Sequence, residues 1–357
     1  MFCLLLGLTL LFFASAIELN GCNSFKSCEE CANSSNWLGL KCEWCASDNS
    51  CVPFFFNSCP LTSQIEHAYN CPCEMPKDIV YDEEFVKEKI LPLIAGANED
   101  DPTRLQKLLN CPFENVTVGN VFEVPCDLLN TTKCHAYTAV VHSEKAIVIS
   151  FRGTQGIPQL LLQGIDFFVT KATTPFAPTG GRVFNYYYQA FHRLWDSKIA
   201  KDLVNYTKLF PDYEVWSVGH SLGGGLASLG AAAVVGNGFR SSDKVKMINF
   251  GQPRIGDRYF AEGHDRLVPF SFRIINIHDP VPAIPSVEPI GSPVDGPFHH
   301  RHEVWYPKGM EPGAEFTVSL MAEDRSGFDA IQQFNVEDHL FYFGKDLPNW
   351  PKTAPTC

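Results

Sequence analysis

The stretch Gly219-His220-Ser221-Leu222-Gly223 sets a hydroxyl between small residues, the composition of a sharp turn that mounts a serine nucleophile. Upstream, Tyr213 to Val218 alternates and favours a strand; downstream, Gly224 to Val235 reads as a small-residue helix ending at Gly236. Gly219 and Gly223 are expected to leave room for the strained serine, and the following helix aims its free N–H groups at the same point. A glycine-rich helix start that only packs closely on a sheet is the plainer reading. The flanking pattern and the partner residues favour the nucleophile.

A serine hydroxyl is a poor nucleophile until a base takes its proton and an acid holds that base in one tautomer. Asp279 stands where the predicted strand Phe272 to Ile277 gives out, on the edge where open parallel sheets build their sites. Its neighbour His278 would point the opposite way, and Asp295 in a Gly/Pro-rich loop is the alternative acid. Among eleven histidines, His339 lies late in the chain before an apolar aromatic segment, which gives the chain order Ser, Asp, His. His299, His300 and His302 form a cluster that could with His278 bind metal, but no ligand pair at helical spacing accompanies it. Exposed or hydrogen-bonded structural histidines are the expectation there, with no metal and no cofactor. Developing oxyanion charge needs preset donors, which the Leu222 N–H and the N–H and hydroxyl of Thr154 can offer; Thr154 also suits an ordinary helix cap.

These residues need a scaffold that brings distant segments to one edge. Ala136 to Val141 and Ala146 to Phe151 read as neighbouring strands, Ala190 to Phe210 as an amphipathic helix, and Val215 to Val218, Val245 to Phe250 and Phe272 to Ile277 as further strands. The alternation predicts an α/β fold with a mostly parallel central sheet covered by helices on both faces. Phe85 to Ile94 reads as an apolar helix whose end is left open by Pro92.

Residues 1–16 read as a secretory signal peptide, an apolar run closing on Ala14-Ser15-Ala16, although no Lys or Arg precedes the run. An uncleaved anchor is the alternative, and no later stretch suits a membrane helix. Fourteen cysteines and the sequons at Asn33, Asn115, Asn130 and Asn205 agree with secretion, with an acidic endomembrane vesicle as the alternative destination. Nine cysteines crowd the segment from Cys22 to Cys73, which sets a small disulfide-rich module at residues 17–74 apart from a large domain at 78–357. The pairs Cys28/Cys31 and Cys42/Cys45 have zinc-ligand spacing, yet in a secreted chain a disulfide framework is the stronger reading. Cys126 and Cys134 bracket a small loop, and Cys111 with Cys357 could tie the large domain's start to its end; thirteen cysteines after cleavage leave one over. A net charge of −12 argues against nucleic acid and anionic surfaces as partners.

Ile149-Ser-Phe-Arg-Gly-Thr154, Gly219-His-Ser-Leu-Gly-Gly224, Asn249-Phe-Gly-Gln-Pro-Arg254 and Asp338-His-Leu-Phe-Tyr-Phe343 together resemble the class 3, fungal-lipase-like triacylglycerol lipases, from about Asp78 to Trp350. The resemblance implies an α/β-hydrolase fold with Ser221 as nucleophile, Asp279 as acid, His339 as base, and Thr154 and Leu222 as oxyanion donors. It also implies a hinged lid in Gly156 to Ile165, presenting Ile157, Leu160, Leu161, Leu162 and Ile165 to an oil–water interface; a core-packing helix is the plainer reading. The cysteine run around Trp44 resembles the plexin-semaphorin-integrin module, a possible seat for a protein partner. The expected activity is secreted triacylglycerol hydrolysis through an acyl-serine. Phospholipase A1 or soluble-ester esterase activity is the nearest alternative, and a non-catalytic extracellular binding protein is the alternative of another class.

Overall fold

The computed structural model describes residues 21–54, 57–126, 133–153, 172–286, 296–330 and 333–357. The signal-peptide segment, Asn130, Thr154, the five lid residues Ile157, Leu160, Leu161, Leu162 and Ile165, and Asp295 lie outside the described residues. The chain divides into two compact units. The first runs to Cys73 and takes in Glu323–Ala330; the second comprises Glu74–Ala322 and Ile331–Cys357.

In the first unit, a short helix, Cys28–Ala32, capped by the Ser27 hydroxyl, precedes β1 (Cys42–Cys45), β2 (Ser50–Pro53) and β3 (Gln64–Ile65). These strands pair antiparallel with β1 in the middle. Disulfides join Cys22 to Cys42, Cys28 to Cys71, Cys31 to Cys51 and Cys45 to Cys59. Neither C-x-x-C pair closes on itself; each of its cysteines reaches a different segment, so zinc-type ligation by these thiols is replaced by a covalent net. Cys73, exposed, stands outside the disulfides. Trp44 is buried between Cys51 and Ile65 on the flanking strands. Asn70 pairs with the Glu323 backbone at two points, Nδ2 to the carbonyl at 2.8 Å and the Glu323 N–H to Oδ1 at 2.7 Å. Burial pushes the Glu43 carboxyl up to about 7, against the pull of the Asn57 amide that donates to it.

The second unit is built on an eight-stranded sheet. In chain order its strands are β4 (Val116–Pro125), β5 (Lys133–Val141) and β6 (Ala146–Phe151), followed after a separate hairpin of β7 (Thr173–Phe176) and β8 (Gly181–Phe184) by β9 (Glu214–His220), β10 (Val245–Phe250), β11 (Ser271–Asn276), β12 (Glu303–Tyr306) and β13 (Thr317–Val318). Their spatial order is β13-β12-β11-β10-β9-β6-β5-β4. The centre from β6 to β12 is parallel, and the edge strands β4, β5 and β13 pair antiparallel. This is the α/β-hydrolase arrangement the sequence predicts.

Side chains alternate across the sheet as a period of two requires. Ile147, Ile149, Val215 and Met247 pack on one face with residues of the helices Asn185–Leu194, Ala200–Leu209, Leu222–Gly236 and Arg258–Leu267. Val148, Trp216, Val218 and Ile248 pack on the other with Leu91–Gly96 and Pro102–Asn110. The parallel centre is therefore buried on both sides, which is why its strands read as continuous apolar runs.

Two helices differ from expectation. Pro92 does not end its helix: it sits in the first turn of Leu91–Gly96, and the preceding turn widens so that the Leu91 N–H reaches Val86. The expected helix Ala190 to Phe210 begins earlier, at Asn185, and carries a similar wide turn at Trp195–Ile199. Disulfides Cys111–Cys357 and Cys126–Cys134 complete this unit. The Asn33, Asn115 and Asn205 side chains are exposed.

Candidate active site

Parallel strands end together, so the carboxyl edge of β9, β10 and β11 gathers three chain segments. β9 ends at His220 and the next helix starts at Leu222, leaving Ser221 at φ 60°, ψ −131°, a backbone few side-chain-bearing residues adopt. The turn is tight. A Cβ on Gly219 would lie 2.2 Å from the Gly223 carbonyl oxygen, and one on Gly223 would lie 2.3 Å from that of Phe151. The Ser221 N–H donates to the Phe250 carbonyl at 2.8 Å, which ties the turn to the end of β10.

Asp279 lies just past β11, in a turn beyond Asn276 rather than on the strand itself. Its carboxylate is fully buried and accepts from three donors: His339 Nδ1 at 2.8 Å, Tyr342 Oη at 2.7 Å and the Val281 N–H at 2.8 Å. Burial and the neighbouring carboxylate hold the Tyr342 phenol well above its usual range, so it remains a donor. His278 is partly exposed, and its backbone N–H donates to Asp338 Oδ2 at 3.2 Å rather than to Asp279.

His339 sits in the last turn of the short helix Val336–Leu340, capped by Asn335. Because a carboxylate only accepts, Nδ1 carries the proton and Nε2 the lone pair. That Nε2 is buried and has no hydrogen-bond partner among the described residues. The segment bearing it is held from the sheet edge: His220 Nε2 donates to the His339 carbonyl at 2.7 Å, and Asn276 Nδ2 donates to those of Asp338 at 3.2 Å and Phe341 at 2.9 Å. The His220 ring also lies tilted over that of His339, with centroids 4.5 Å and planes 32° apart. Gly251, at φ 57°, faces the pair, where a Cβ would lie 2.5 Å from Asp279 Oδ2 and 2.8 Å from His339 Nδ1.

The structure thus brings Asp279 and His339 together beside the residue preceding Ser221. Leu222 opens the helix, where its N–H lacks an intrahelical acceptor. The histidine cluster is not exposed. His299 donates to the Pro282 carbonyl at 2.9 Å and His302 to that of Ser271 at 3.2 Å, while buried His300 meets Ser228 at 3.0 Å and Ser271 at 3.2 Å. Burial lowers the His302 imidazole to about 4 and holds His300 well below its usual range. His264, Asp265 and His300 bring ligating atoms within 4.8 Å of one another. Both His300 nitrogens are already bonded, and the Arg301 guanidinium lies 3.6 Å from Asp265, so this set reads as polar core packing.

Sequence reasoning passed over Tyr342, His220, Asn276 and Gly251. Tyr342 stands only three residues after His339, but the helix ends at Leu340 and Tyr342 lies on the short strand Phe341–Tyr342, so helical spacing does not mark it. The others touch His339 only through the fold.

Residues 148–288 match the family model described as Lipase (class 3). The chain is 33% identical over 303 residues to the Caenorhabditis elegans protein named "Lipase ZK262.3", covering 78% of this chain and 83% of that one. It is 29% identical over 245 residues to the secreted mono- and diacylglycerol lipase A of Penicillium cyclopium, covering 66% and 73%. The solved triacylglyceride lipase of Rhizomucor miehei superposes with a TM-score of 0.61 at 23% identity, over 75% of this chain and 97% of that one, a likeness of fold.

Proposed function

The chain belongs to the class 3 lipase family, and from that premise we propose that Ser221, His339 and Asp279 form the triad of an ester hydrolase that releases fatty acids from acylglycerols. Ser221 Oγ attacks the ester carbonyl carbon while His339 Nε2 takes the hydroxyl proton. The tetrahedral intermediate collapses as that proton passes to the departing alcohol, leaving an acyl-serine. Water, deprotonated by the same nitrogen, then releases the acid and restores the serine. Asp279 fixes the tautomer and faces the imidazolium formed in each half-reaction. The Leu222 N–H, with Thr154 as second donor, stabilises the oxyanion.

The observation that carries this reading is the buried Asp279–His339 pair, whose remaining imidazole nitrogen has no hydrogen-bond partner among the described residues and whose ring lies 4.5 Å from that of His220, the residue before Ser221. Ester hydrolysis on a serine scaffold is what the family supplies; the acylglycerol substrate, met at an oil–water interface, is our reading from the relatives. No described helix is long and apolar enough to cross a membrane, and the disulfides and exposed sequons support an extracellular site of action. The first unit, with Trp44 in its small core, fits a module of plexin-semaphorin-integrin type that engages a protein partner.

Ser221→Ala should eliminate both ester turnover and labelling by a fluorophosphonate while leaving the melting temperature unchanged. A variant that still turns over ester ends the proposal. Triolein emulsion hydrolysed faster than phosphatidylcholine vesicles or short-chain soluble esters supports the acylglycerol assignment; the reverse order assigns a phospholipase or an esterase.

A further inference from the structure

We propose that His220 and Asn276 are positioning residues that clamp the His339-bearing segment to the sheet, so that the geometry of the base is set by side-chain bonds to its backbone. The inference rests on the hydrolase reading above. His339 lies on a helix of only five residues, Val336–Leu340, too short to fix a side chain by its own hydrogen bonds. What fixes it comes from the ends of two parallel strands. His220 closes β9 and gives its Nε2–H to the His339 carbonyl at 2.7 Å; Asn276 closes β11 and gives its amide to the Asp338 and Phe341 carbonyls at 3.2 and 2.9 Å. Carbonyls on both sides of His339 and its own are thereby engaged. Both side chains are buried, so the bonds are shielded from competing water.

His220 does a second job. Its ring lies tilted against that of His339 at 4.5 Å and 32°, and meets edge-on, at 5.8 Å, the ring of Tyr342, the tyrosine that donates to Asp279. An imidazole presents a ring face and donates through its own edge nitrogen, whereas an indole is far larger and a phenol carries its donor one bond further out. Desolvation first, and then the charge of His339, hold His220 well below its usual range. It therefore stays neutral while His339 cycles through the imidazolium, and does not repel it.

The test separates donor from ring. His220→Phe keeps a ring without the donor; His220→Gln keeps an N–H without the ring; Asn276→Asp keeps the shape but turns the donor into an acceptor. Each is compared with wild type and Ser221→Ala on a soluble p-nitrophenyl ester, with folding checked by thermal melting. Misplacing a catalytic group by about 1 Å costs roughly 10²-fold. His220→Phe and Asn276→Asp should therefore lose about 10- to 100-fold in kcat at unchanged KM, with fluorophosphonate labelling slowed in parallel, and His220→Gln should recover part of the loss. Since both side chains hold one segment, the double variant should depart from the product of the single losses. The proposal is overturned if folded His220→Phe and Asn276→Asp turn over ester like wild type, or if their losses fall on KM alone. An active Ser221→Ala would instead overturn the hydrolase reading, whatever the clamp variants do.

Discussion

Four disulfides hold three short strands in the first unit, whereas in the second an eight-stranded sheet is covered on both faces by helices and has only two disulfides among the described residues, one of them tying the end of β4 to the start of β5 at the sheet's edge. The difference follows from size. A small unit cannot bury enough apolar surface to offset chain entropy, so covalent links restrict its unfolded state instead. The larger unit has apolar surface to spare, and it can hold Ser221 in a strained backbone and a buried carboxylate besides. Ser221, Asp279 and His339 all lie in the unit with the larger core.

Four changes would break or sharpen that contrast. The largest effect is expected at the acid. Asp279→Asn should lower kcat by about 10⁴-fold, because an amide lets the imidazole adopt the wrong tautomer; steady-state kinetics with near wild-type activity would remove Asp279 from the triad. Gly251→Ala comes next. Its methyl group would press on both Asp279 and His339, and a loss of about 10²-fold in kcat is expected, with the first unit untouched. Equal activity would mean that the pair has room to shift.

Deleting one covalent link probes the other side of the comparison. Cys31→Ser with Cys51→Ser should destabilise the first unit by about 2–5 kcal/mol, read by calorimetry as one transition falling while the other stays. Two transitions falling together would deny the units their separate means of support. The smallest effect concerns Glu43, whose carboxyl releases its proton near 4.5 when unfolded and about 7 when folded. Its contribution is full below the lower value and is lost as pH rises towards the upper one, since the unfolded state ionises first. The first unit should thus melt at lower temperature at pH 7.5 than at pH 5, and Glu43→Gln should flatten that dependence; a Gln variant with the same slope would place its origin elsewhere.

Local chemistry and the Asp279–His339 pair were legible in the sequence, while the residues that support that pair from other segments were not. β10 falls on Val245 to Phe250 as read, because a strand buried on both faces is an uninterrupted apolar run. The serine turn was readable since its small residues answer a steric demand within five positions. The wide turns at Val86–Ile90 and Trp195–Ile199 leave no mark in hydrophobic spacing, so the helices around them were misjudged. Asn276 and His220 look like ordinary strand residues until β11 and β9 are laid side by side with the segment around His339. Likewise, nothing near Glu323 announces that Asn70 takes hold of it from 253 positions away.

The bond between Cys111 and Cys357, whose cysteines are 246 positions apart, makes a covalent ring of most of the second unit. His339 is a member of that ring rather than a passenger on a tail. A protease that cut the ring once would open it without freeing any piece, so a nicked chain would keep Ser221 and His339 on one molecule.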